Sequence, residues 1–138
     1  MSVWPETLPG ETLLAGSEGQ LVSVSIRVDP RRLESLLDLL ARVRFPINPQ
    51  IFHDAAMIYH EASGAERIEP ATLVEFPAYE AHLAEVRQAL EGNGFPVEDL
   101  LVTGMLDDIC STRRKEPAPL GASYLWRSRV RRRPAASA

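Results

Sequence analysis

The chain has 138 residues, 45% of them hydrophobic, a formal net charge of −4 and one cysteine, Cys110. That size suits one compact domain with tails, and one cysteine can form no internal disulfide. No apolar run reaches the roughly 20 residues that a membrane-spanning helix needs. The first twenty residues show neither a basic n-region nor a sustained apolar stretch, so no signal peptide is expected and a cytoplasmic protein is the default reading.

Charge is divided unevenly. Residues 1–110 carry 18 acidic and 7 basic side chains, whereas 111–138 carry 1 acidic and 8 basic. An acidic body is not the electrostatic footprint of a nucleic-acid-binding fold. A basic tail can still hold an anion.

In chain order, residues 1–20 read as an irregular N-terminal arm. "LVSVSIRV" (21–28) alternates Val22, Val24, Ile26 and Val28 with Ser23, Ser25 and Arg27, the pattern of a half-buried strand. Asp29 then suits an N-cap and Pro30 the first helical position. Leu33, Leu36, Leu37, Leu40 and Val43 make one helical stripe. Pro46 and Pro49 stop that helix near Arg44. A second strand follows from about 50 to 61, then a turn at 62–65 and a third strand at 66–76. Pro70 lacks a ladder donor, so it is expected where this strand overhangs its neighbour or bulges. Pro77 opens a second helix, ended by Gly92 or Gly94. "VEDLLVTGML" (97–106) is the last strand.

The order β-α-β-β-α-β over residues 21–110 predicts an α+β, ferredoxin-like domain: a four-stranded antiparallel sheet with both helices on one face. Residues 111–138 lose periodicity, with Pro117 and Pro119 marking a linker, and read as a basic, flexible C-terminal tail.

The stretch "FPINPQIFHDAAMIYH" (45–60) holds two of three histidines. On a regular strand His53 and His60, seven apart, face opposite sides at a separation of roughly 23 Å, so they cannot share a metal within one subunit. Adjacent His53 and Asp54 also diverge. Opposing residues about a turn centred on Ser63 and Gly64 puts Ile51, His53, Ala55, Met57 and Tyr59 under the helices. The other face then holds Phe52, Asp54, Ile58 and His60 with Arg27, Leu73 and Glu75. This helix-free face is too apolar to be plain solvated surface. It is expected to be a dimer interface, the resting place of a tail, or the floor of a ligand site.

No constellation of catalytic residues is recognisable, and the same holds for cofactor-binding motifs and metal-ligand spacing. Asp107 and Asp108 lack further oxygen ligands nearby. The chain therefore leans away from being an enzyme. In "YLWRSRVRRR" (124–133), Arg127, Arg129, Arg131, Arg132 and Arg133 form an anion-binding candidate for nucleic acid or an anionic membrane, unless the tail folds back on the acidic body.

"LVSVSIRVDPRRLESLLDLLARVRFPINPQI" resembles the first half of ACT domains, small regulatory domains of ferredoxin-like fold. Asp29, Pro30, Leu33, Leu36, Leu37, Ile47 and Asn48 carry the resemblance. It implies dimers packed side by side or face to face and a ligand near the first strand–helix turn. The leading expectation is thus a non-catalytic, homodimeric domain with a regulatory or small-ligand-binding role and a small-molecule effector. The alternatives are a small dimeric α+β-barrel enzyme with its pocket on the uncovered sheet face, and a nucleic-acid or membrane adaptor acting through the arginine-rich tail.

Overall fold

The alternating residues Gly19–Val28 form a long strand, β2, and the two-residue strand Ala15–Gly16, β1, pairs with its start. The computed structural model describes residues 15–16, 19–106 and 113–131. Asp29 ends β2 as a cap. Its carboxylate accepts from the Arg31 backbone N–H at 2.9 Å, and Pro30 opens a single 3-10 turn, Pro30–Arg32. Helix α1, Leu33–Ala41, continues from it. Strands β3, Gln50–His60, and β4, Glu66–Tyr79, form a hairpin whose turn uses Gly64 at φ +89. After a second 3-10 turn comes helix α2, Leu83–Gly92, followed by strands β5, Leu100–Gly104, β6, Arg113–Pro117, and β7, Trp126–Val130.

The four-stranded ferredoxin-like sheet expected from the sequence is not what the chain builds. Six principal strands run in the order β5-β2-β4-β3-β7-β6, all pairs antiparallel, and the sheet curls nearly closed into a barrel. The extra strands are β6 and β7, from the segment read as a flexible tail. β7 pairs with β3 from Ala56↔Val130 to His60↔Trp126, and β6 pairs with β7. The segment concealed itself because its inward positions are charged. Alternation is present in "WRSRV", but Arg127 and Arg129 stand where apolar side chains are the usual strand signal.

β4 is longer than the sequence suggested. It runs through Pro77 to Tyr79, so Pro77 lies in a strand and not at a helix start. Pro70 and Pro77 each sit where β4 has one neighbour only. Pairing with β2 ends at Val28↔Thr72, short of Pro70, and pairing with β3 ends at Gln50↔Glu75, short of Pro77. Seven residues apart, their nitrogens face opposite edges, each towards the missing neighbour.

Both helices lie on the outer face of the sheet. Val22, Val24, Ile26 and Val28 of β2 join Val74, Phe76 and Ala78 of β4 beneath Leu36, Leu39 and Leu40 of α1 and Val86 and Leu90 of α2. Burying each such side chain contributes about 1.5–3 kcal/mol. A second, smaller core lies inside the curl, made of Ala55, Met57, Tyr59, Ala71 and Leu73, with Phe52 and Tyr124 packed against it.

The register of β3 departs from regular alternation. Phe52 pairs with Leu73 and Ala55 with Ala71, so His53 and Asp54 together face Thr72 alone. This β-bulge changes the parity of the strand. Ile51 opposes Val74 of the helical face, whereas Ala55, Met57 and Tyr59 belong to the inner core with Phe52. The expectation that Ile51, Ala55, Met57 and Tyr59 share a face is thereby overturned. Ile58 and His60, paired with Ser128 and Trp126, lie on the opposite side from Phe52.

Candidate functional site

The inner face carries a buried polar network. Ser25 of β2 and Glu75 of β4 are neighbours in register, and the Ser25 hydroxyl donates to Glu75 Oε2 at 2.9 Å. Arg131 Nε donates to the other oxygen at 2.9 Å, and the Arg114 guanidinium pairs with the same carboxylate. On β6, Glu116 accepts from Arg127 Nε at 2.7 Å and from Arg129 Nε at 2.6 Å. Arg129 crosses the curl to β2, where its Nη1 donates to the Ser25 carbonyl at 3.0 Å and the hydroxyl at 3.2 Å. Arg127 reaches the Glu98 carbonyl just before β5. Burial pulls the Arg129 guanidinium below its ordinary value, against the opposing pull of Glu116, and it remains a cation. Every charge here has a partner, as burial requires.

The face that the sequence offered to a second copy or a ligand is therefore covered by the chain's own β6–β7 hairpin. Arg27, Phe52, Leu73 and Glu75 do share it. Asp54 sits in the bulge and is exposed. Ile58 is buried on the other side. His60 stacks there on Trp126 with ring centroids 3.4 Å apart, Glu66 Oε2 lies 3.4 Å from its Nδ1, and Lys115 Nζ lies 4.3 Å from the centre of the Trp126 ring. Arg127, Arg129 and Arg131 are committed to Glu116 and Glu75 and do not form an exposed anion site. Arg132, Arg133, Asp107, Asp108, Cys110 and most of the N-terminal arm lie outside the described residues.

The open site is elsewhere, where β2 ends. A cleft of about 510 Å³ is bounded by Arg27, Asp29 and Pro30 on one side, by His53 of the bulge and Pro70 and Thr72 of β4, and by Asp99 before β5. Arg27 Nη1 donates to the Tyr59 hydroxyl at 2.9 Å, and its Nη2 lies 3.6 Å from Glu69. The Asp29 carboxylate is occupied by Arg31, whose side-chain and backbone hydrogen bonds lower its pKa to about 2. Burial pushes the Asp99 carboxyl above its ordinary value, although the charges of Arg27, Arg129 and Arg127 pull the other way. No hydrogen bond reaches that carboxylate among the described residues, an uncommon state for a half-buried acid.

Of the cleft residues, sequence reasoning put forward Arg27 and weighed His53, but passed over Asp99 and Thr72. Asp99 gave no signal, being one acid in a short irregular segment. Among the described residues no group of three or more His, Cys, Asp or Glu side chains is placed to hold a metal ion, and no helix is long and apolar enough to cross a membrane. No protein-family model, curated protein or solved structure matches the chain.

Proposed function

We propose that the chain is a non-catalytic small-ligand-binding module, regulatory in role, whose ligand occupies the cleft beside the β2–α1 turn. The observation that carries this reading is the bulge in β3, which brings His53 to the same cleft as Arg27 and Asp99. Bulges re-aim side chains beside functional sites. A few convergent polar groups between proline and aliphatic walls, with one perturbed carboxyl among them, are the usual make-up of a small-molecule site. The resemblance to ACT domains, which implied a ligand near the first strand–helix turn, supports the same location.

Titration of the full chain with a library of polar fragments, followed by amide chemical shifts, tests it. Shifts are expected at Arg27, Asp29, His53, Thr72 and Asp99. Fragments that perturb only other surfaces would refute the assignment. Acid–base chemistry is the second reading, favoured by a histidine and a carboxyl of raised pKa lining one cleft. Chemical conversion of a bound fragment, lost in His53→Ala, would establish it over simple binding. Because the hairpin occupies the face offered to a second copy, a homodimer needs another surface; sedimentation equilibrium measures whether one forms.

A further inference from the structure

We infer that the ligand of this cleft is a neutral polyhydroxylated molecule, sugar-like in carrying neighbouring hydroxyl groups, an inference that rests on the small-ligand reading above. The argument separates charge from hydrogen bonding. The charges lining the cleft are already balanced. Asp29 is paired with Arg31 at 2.9 Å, Arg27 lies 3.6 Å from Glu69, and Asp99 sits in the field of Arg27, Arg129 and Arg127. What Asp99 lacks is a hydrogen-bond donor, not a counter-charge.

A ligand ammonium group brought to Asp99 would enter the repulsive field of those three arginines. A ligand carboxylate brought to Arg27 would share the cleft with Asp29 and Asp99. A hydroxyl escapes both conflicts because it donates one hydrogen bond and accepts others without net charge. One hydroxyl can donate to Asp99 while its neighbour accepts from the free N–H groups of Arg27, and O–H to carboxylate bonds are among the stronger neutral-to-charged contacts. Pro30, Pro70 and Ala71 present hydrocarbon walls to the C–H face of a ring. Arg27 is fixed in advance by Tyr59, so little ordering is left for binding to impose.

Saturation-transfer NMR on the full chain separates the possibilities, with D-glucose, myo-inositol, glycine, acetate and methylammonium as probes. The expected result is transfer to glucose or inositol that weakens about tenfold or more in Asp99→Ala and in Arg27→Gln, and is unchanged in Ile68→Ala on the exposed part of β4. Thermal melting confirms that each variant is folded. Cleft binding by glycine, acetate or methylammonium in preference to both polyols overturns the polyol class but leaves the small-ligand reading standing. Polyol binding that ignores both cleft variants places the sugar elsewhere and overturns the inference. Silence of the cleft residues towards all five probes overturns the inference, while the broader fragment titration still decides the underlying reading.

Discussion

Arg129 and Ser25 lie 104 positions apart in the chain and meet inside the barrel, the guanidinium bonded to both the carbonyl and the hydroxyl of the serine. That contact ties the last described strand to the first long one across β3 and β4. It converts an open sheet into a curled one with charge at its centre.

Arg129→Leu is expected to destabilise the fold by about 3–5 kcal/mol, because the loss strips a buried carboxylate, Glu116, of half its partners. Replacing Arg127, Glu116 and Arg129 together with apolar residues of similar volume should recover most of that loss, since no buried charge is then left unpaired. Urea unfolding of the single and triple variants checks both statements.

Asp99 gives the pH prediction. Its carboxyl pKa is raised in the folded chain, so the folded state holds that proton more tightly than the unfolded one. This stabilising contribution is present at low pH and is lost as pH rises through the folded pKa. Asp99→Asn should therefore be slightly more stable than the native chain at pH 7, by under about 1 kcal/mol for a partly solvated group. The gap should close below about pH 4, near the ordinary value for an aspartate. Melting temperatures of the two proteins from pH 3 to 8 measure it. A variant more stable at neutral pH but weaker in ligand binding would show the acid to be kept for function.

Deleting Asp54 should be far more harmful than changing it. The deletion removes the bulge, and restoring alternation forces either Phe52 or the set Ala55, Met57 and Tyr59 out of the inner core. Loss of a single cooperative unfolding transition is the expected result. By contrast His53→Ala, at an exposed position, should change stability by no more than about 0.5 kcal/mol.

Gly19→Ala is expected to cost about 1 kcal/mol or more. Gly19 has φ +91, and a Cβ there would lie 2.9 Å from Glu80 Oε1, the oxygen that accepts from the Gln20 backbone N–H at 2.7 Å. The measurement is the shift in denaturation midpoint, with Glu80→Ala as the companion that loses the bond without backbone strain.

Local signals in the sequence were sound where one physical effect dominated. The valine alternation of β2, the Asp29–Pro30 cap and the leucine stripe of α1 each identify their element without help from the rest of the chain. The outcome failed where a single residue or an inverted polarity decided it. One inserted residue at His53–Asp54 reverses every side chain after it, and alternation has no memory of such a slip. The strands "RRKEP" and "WRSRV" bury arginine and glutamate, which hydropathy assigns to solvent. Their pairing becomes visible only when Glu75 and Ser25 are already in place to receive them. Asp99 stands out for the same reason: its importance lies in the donor it lacks, which no one-dimensional pattern records.

Because β6 and β7 come last in the chain, the order of synthesis matters to this fold. After Gly104 leaves the ribosome, some 25 further residues are needed before Val130 follows, roughly 1–5 s at ordinary elongation rates. During that interval Leu73, Met57 and Tyr59 have no cover, and Glu75 waits without Arg114 or Arg131. The nascent chain must then carry both an exposed apolar stripe and an uncompensated acid, a charge that repels a second nascent copy and so guards the stripe until the arginines arrive.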